Sequence, residues 1–86
     1  MSFRVEWSEE AWEAILAFWL ASTDHDIISQ AVRGAGAQLS SHPLSVGESR
    51  DDHSLRVGFF PPLTIYFAVS PEEHLVRIVD CVARAR

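Results

Sequence analysis

The sequence predicts an α+β fold, β-α-α-β-β-β, with a helical hairpin packed on an antiparallel sheet, and three observations predict it. Apolar residues alternate with polar ones at 3–7, recur at helical spacing from 11 to 39, and return to a two-residue period from 54 onward. Helices and strands are thus segregated along the chain, which is the mark of an α+β arrangement. With 86 residues, of which 48% are apolar, one domain spanning 1–86 is expected.

Phe3, Val5 and Trp7 alternate with Arg4 and Glu6, as in a half-buried first strand. Ser8 supplies an N-cap hydroxyl, and Glu9 and Glu10 place carboxylates in the first helical turn. Trp12, Ile15, Leu16 and Trp19, widened by Ala11 and Phe18, are expected to form the face that covers the sheet. Ser22 to Asp26 interrupts this pattern, after which Ile28, Val32, Ala35 and Leu39 define a second helix. Gly34 and Gly36 weaken that helix and are expected to allow close approach to the first; Pro43 ends it. Leu55, Val57 and Phe59 form one strand, and after Pro61-Pro62 the residues Leu63, Ile65, Phe67 and Val69 form the next. His74 to Ala83 is apolar at most positions and reads as a central strand, buried more fully than its neighbours.

Charge narrows the function classes. The net charge is −5, lysine is absent, and all seven basic residues are arginine. Residues 1–26 hold six acids against Arg4 alone, while 27–86 hold six acids against six arginines. An acidic protein lacks the broad basic face that sequence-independent nucleic-acid binding requires, so an RNA or DNA role needs a local patch. The N-terminus lacks a secretory apolar region, no run is long enough for a membrane helix, and Cys81 has no disulfide partner within the chain. A cytoplasmic protein with a buried thiol is expected.

No Gly-rich phosphate loop, nucleophile elbow or Cys/His metal spacing is present, so neither a cofactor nor a metal is expected. Asp24-His25-Asp26 and Asp51-Asp52-His53 read as caps and turns. The binding candidates are Arg50, Arg56, Arg84 and Arg86, since guanidinium groups gathered on a sheet face would read phosphate or carboxylate bidentately. The bland alternative pairs the arginines with Glu48, Asp51, Asp52 and Asp80 on the surface. Tyr66, on the alternate face to Ile65 and Phe67, either packs or lines a groove.

The element order, Phe3-Arg4-Val5-Glu6-Trp7-Ser8, the helix end at His42-Pro43, Gly47-Glu48-Ser49-Arg50 and the stretch Pro61 to Val69 before the strand Val76 to Val82 together carry a resemblance. Over nearly its whole length the chain resembles the RelE/ParE superfamily of type II toxin–antitoxin toxins, the plasmid-stabilisation-like proteins. The resemblance implies a toxin held by a cognate antitoxin, with either the ribosome and its mRNA or DNA gyrase as target. The sequence departs from the nuclease branch. Thr64 stands where an arginine would, the lysines of the preceding strand are missing, and the chain stops at Arg86 before the family's C-terminal tyrosine. Only Arg84 matches a family basic position. Three readings follow: a toxin-like binding protein, a divergent endoribonuclease using Arg56, Tyr66 and Arg84, and a non-toxic interaction domain that assembles as a homodimer.

Overall fold

Strand formation starts at Arg4, because the Phe3 N–H donates to the Ser40 carbonyl (2.7 Å) and the Ser40 hydroxyl returns a bond to the Phe3 carbonyl (3.1 Å). These bonds tie the chain's first strand to the end of its second helix. The computed structural model describes residues 2–46, 48–49 and 55–83, with 48–49 described as backbone alone. The elements are β1 (Arg4–Trp7), α1 (Glu9–Ala21), α2 (His25–Ser41), a 3-10 turn (Pro43–Ser45), β2 (Glu48–Ser49), β3 (Arg56–Phe60), β4 (Leu63–Ser70), a second 3-10 turn (Pro71–Glu73) and β5 (Leu75–Ala83).

The expected α+β order holds, with two helices on one sheet face. Among the described residues the sheet has five strands in the order β1-β5-β4-β3-β2. It is mixed rather than wholly antiparallel: β1 runs parallel to β5, with Val5 opposite Val76 and Trp7 opposite Ile78. A parallel pair needs a long crossover, and here everything from α1 to β4 lies between the two strands.

β5 is central, between β1 and β4, as expected. It is not buried more fully than its neighbours, however: Val76, Ile78 and Cys81 are buried but Arg77, Asp80 and Val82 are exposed, whereas no residue of β4 is exposed. The helices cover only one face of β5, so only that face of the strand is fully buried. A register shift places Tyr66 opposite Asp80 but Phe67 opposite Ile78, leaving Val79 as an extra residue. This bulge lets Ile78 and Cys81, three positions apart, both face the core. The core itself joins Ala11 and Ile15 of α1, Ile28, Ala31, Ala35 and Leu39 of α2, and the sheet residues Phe60, Leu63, Ile65, Phe67, Val76, Ile78 and Cys81.

Caps fall where the sequence places them. The Ser8 hydroxyl accepts from Ala11 N (3.1 Å) and donates to the bulge carbonyl of Val79 (3.0 Å), while Asp24 Oδ1 accepts from Ile27 N (3.3 Å). Replacing Ser8 with alanine removes a cap and leaves the Val79 carbonyl without that donor. Urea denaturation is expected to register a loss of about 1–2 kcal/mol.

Two expectations about the helices are corrected. A Cβ built at Gly34 or Gly36 would meet no atom within 4 Å beyond the adjoining backbone of its own helix, so neither glycine serves a close approach to α1. Both residues lie inside α2, where glycine is a poor helix former. Gly34→Ala and Gly36→Ala are therefore each expected to raise the unfolding free energy by roughly 0.5–1 kcal/mol, read as a higher Tm. The second correction concerns α1. Its sheet-facing residues are Ala11 and Ile15, with Ala14 and Phe18 half-buried, whereas Trp12, Leu16, Trp19 and Leu20 are exposed. The helix carries two apolar stripes, and the one with smaller side chains packs on the sheet.

Candidate functional site

The two-residue loop Pro61-Pro62, whose linking peptide bond is cis, closes the β3–β4 hairpin with Phe60 opposite Leu63. Side chains alternate along a strand, so this pairing decides which face each candidate occupies. Leu63, Ile65 and Phe67 face the helices, and their partners Phe60, Gly58 and Arg56 share that side. A Cβ at Gly58 would lie 3.1 Å from both Phe60 Cε2 and Val46 Cγ1, which puts it in the same layer.

Arg56 accordingly reaches the connection that follows α2. Its Nε and Nη2 donate to the Val46 carbonyl (3.2 and 3.1 Å), and Nη2 also donates to the Leu44 carbonyl (3.2 Å). Tyr66 occupies the opposite sheet face, half-buried, in one row with Val57 and Asp80. Arg56 and Tyr66 are thus neighbours along the sheet but are separated by its thickness. Arg50, Arg84 and Arg86 lie outside the described residues, as does Asp51-Asp52-His53.

The face bearing Tyr66 has two chemical zones. Toward β1, Glu6 joins two arginines, with Arg4 Nε at 3.2 Å and Arg77 Nη2 at 3.3 Å. These groups are well exposed, so the trio marks a polar surface and adds little stability. Toward the hairpin, Phe59, Thr64 and Val82 form a row in which Phe59 is 61% exposed and Val82 48%. Asp80 is committed locally, since its Oδ1 accepts from Cys81 N at 2.8 Å.

Beside that row lies a groove of about 1040 Å³. One wall is the turn between the helices, with Phe18, Ala21, Ile27 and Ile28; the other is the hairpin tip, with Phe59, Pro61, Pro62 and Leu63. Ala83, the last described residue of β5, closes one side, and Asp24 is among its polar lining groups. Sequence reading missed this groove, because it arises where two distant turns meet. The signal available was the bulky, flat pair Pro61-Pro62 following Phe59-Phe60. A concave, mostly apolar cleft with few polar groups suits a side chain or a short segment of a partner.

Cys81 is buried on the helix side, and desolvation, followed by the neighbouring Asp80 carboxylate, pushes its thiol up to about 11 from an ordinary 9.0. It is a packing residue. In the native protein it should resist iodoacetamide at pH 8 and react once urea has unfolded the chain. Between about pH 9 and 11 the unfolded thiol loses a proton that the folded thiol keeps. Stability should therefore fall with rising pH in that window, and below it this group adds no pH dependence.

Known proteins share this fold. A chain of the RelBE2 toxin–antitoxin complex from Mycobacterium tuberculosis superposes with a TM-score of 0.82 at 19% identity, covering 100% of this chain and 95% of that one. A chain of the chromosomal ParDE system from P. aeruginosa gives 0.72 at 12% identity, covering 96% of this chain and 97% of that one. A chain of the archaeal RelE–RelB complex from Pyrococcus horikoshii gives 0.70 at 12%, covering 100% and 99%. No protein-family model and no curated protein sequence matches the chain. Among the described residues, no helix is long and apolar enough to cross a membrane.

Proposed function

We propose that this chain, whose fold is that of RelE/ParE toxins, is the toxin-like component of a type II toxin–antitoxin system. In this reading it acts in the bacterial cytoplasm by holding a cognate antitoxin and engaging a cellular target, without ribosome-dependent mRNA cleavage. The observation that carries the reading is the full-length superposition on a toxin–antitoxin complex chain at a TM-score of 0.82.

The groove between the helical turn and the hairpin tip supports partner binding, because it offers apolar lining and the exposed Phe59 ring at its rim. Arg84 and Arg86 follow Ala83, a residue of the groove lining, in sequence, and in this reading they supply cations for an acidic group of the partner or target. Arg50 is the third binding candidate. The commitment of Arg56 to two backbone carbonyls speaks against nuclease chemistry. Phosphodiester cleavage needs fixed positive groups at the developing charge, and Arg56 and Tyr66 do not converge.

The test is tightly induced expression in a bacterial host, with and without any small gene found adjacent to this one. Growth arrest by the wild type, relieved by co-expression of the neighbour, is the expected result, and Arg50→Ala with Arg84→Ala should lessen the arrest. Harmless expression of folded protein sinks the toxin reading. Cleavage of ribosome-bound mRNA by the purified protein would replace it with the endoribonuclease reading. Phe59→Asp should leave Tm nearly unchanged, because the ring is exposed, yet weaken binding of the purified antitoxin by about tenfold or more.

A further inference from the structure

The exposed stripe of α1 is a second surface, none of whose four apolar residues lines the groove. Trp12, Leu16, Trp19 and Leu20 are 49%, 57%, 37% and 69% exposed, and their spacing places them on one side of the helix. Both tryptophans are held by stacking: Trp12 lies on Trp7 (5.0 Å, 27°) and Trp19 on His25 (3.7 Å, 19°). Aromatic anchors already fixed in place lose little freedom when a partner arrives.

Charge decides what the stripe accepts. Glu9 and Glu13 stand one turn apart on the line that continues through Leu16 and Leu20, and Asp24 and Asp26 follow the other end of the helix. No basic residue lies in the last turn of α1 or among residues 5–32. A second copy laid antiparallel on this face would set Glu9 and Glu13 against Asp24 and Asp26; laid parallel, it would set glutamates against glutamates. Both arrangements place like charges together. We infer that α1 docks an amphipathic partner helix whose apolar face is bracketed at both ends by lysine or arginine. Glu9 and Ala21 are roughly 18 Å apart at about 1.5 Å per residue, so about 12–14 residues of partner helix would span the stripe. The inference concerns surface chemistry and stands whether or not the protein is toxic.

Two synthetic 14-residue helices test it, sharing one leucine face and bearing either lysine or glutamate at both ends. Calorimetric titration into the full-length protein should show the lysine peptide binding at least about tenfold tighter, with the difference shrinking at high salt. The Trp12 and Trp19 indole NMR signals should shift on binding. Leu16→Glu with Leu20→Glu changes only exposed positions, so circular dichroism should report a folded chain, and binding should be lost. Glu9→Gln with Glu13→Gln should keep binding but reduce the preference between the peptides. Equal affinity for both peptides, binding by neither, or binding that survives Leu16→Glu with Leu20→Glu overturns the inference. So does a wild-type dimer in analytical ultracentrifugation that the leucine variant dissolves, since a second copy would then cover the stripe.

Discussion

Replacing Phe67 with alanine is expected to cost about 3–5 kcal/mol, the largest single effect accessible without introducing a charge. Phe67 is 0% exposed and is the largest of the fully buried side chains. It lies on β4 between Arg56 of β3 and Ile78 of β5, under the helices. A domain of this size holds only roughly 4–13 kcal/mol in total. The variant should therefore approach the unfolding threshold at 37 °C, and its urea midpoint should fall by about a quarter or more. A midpoint within experimental error of the wild type would mean that the two layers do not meet at Phe67. Phe67→Leu, which keeps most of the volume, should recover a large part of the loss.

The second large effect is at Arg56. Arg56→Met keeps the length and apolar stem of the side chain but removes every bond to the Val46 and Leu44 carbonyls. The three bonds are shared between two carbonyls at a partly wet site, so each carbonyl counts for about 1–1.5 kcal/mol and a total loss of about 2–3 kcal/mol is expected. Any fall in growth arrest on mutating Arg56 should therefore come with a lower Tm. A variant that loses the arrest while keeping its wild-type Tm would place Arg56 in the functional surface and not in the scaffold.

Arg56 also shows where the sequence was legible and where it was not. Periodicity in this strand marks Leu55, Val57 and Phe59 as the apolar set, yet the set that faces the helices is Arg56, Gly58 and Phe60. The hairpin settles it, because a two-residue loop at Pro61-Pro62 pairs Phe60 with Leu63 and sends Arg56 to the side of Phe67. That inference was available from the sequence, through the loop length and the clear alternation of Leu63, Ile65 and Phe67. On α1 the ambiguity is different. Two apolar stripes coexist, and only the packing distance to the sheet, which favours Ala11 and Ile15 over tryptophan, selects between them. The caps at Ser8 and Asp24, the helix end before Pro43 and the central place of β5 were legible, because each depends on local chemistry or on a long apolar run. The groove was not, since no local pattern announces that residues 18–28 and 59–63 meet.

The parallel pairing of β1 with β5 has a consequence for biosynthesis. Ser8 and Val79 are 71 residues apart, yet the hydroxyl of one bonds the carbonyl of the other, and β5 is the sheet neighbour of β1 among the described residues. At roughly 5–20 residues per second, the ribosome adds the segment between them in about 4–14 seconds. During that interval the nascent chain can form its helical hairpin, but its first strand has no neighbour to pair with. The fold therefore closes only after β5 has cleared the exit tunnel, and until then Arg4–Trp7 wait for Leu75–Ala83.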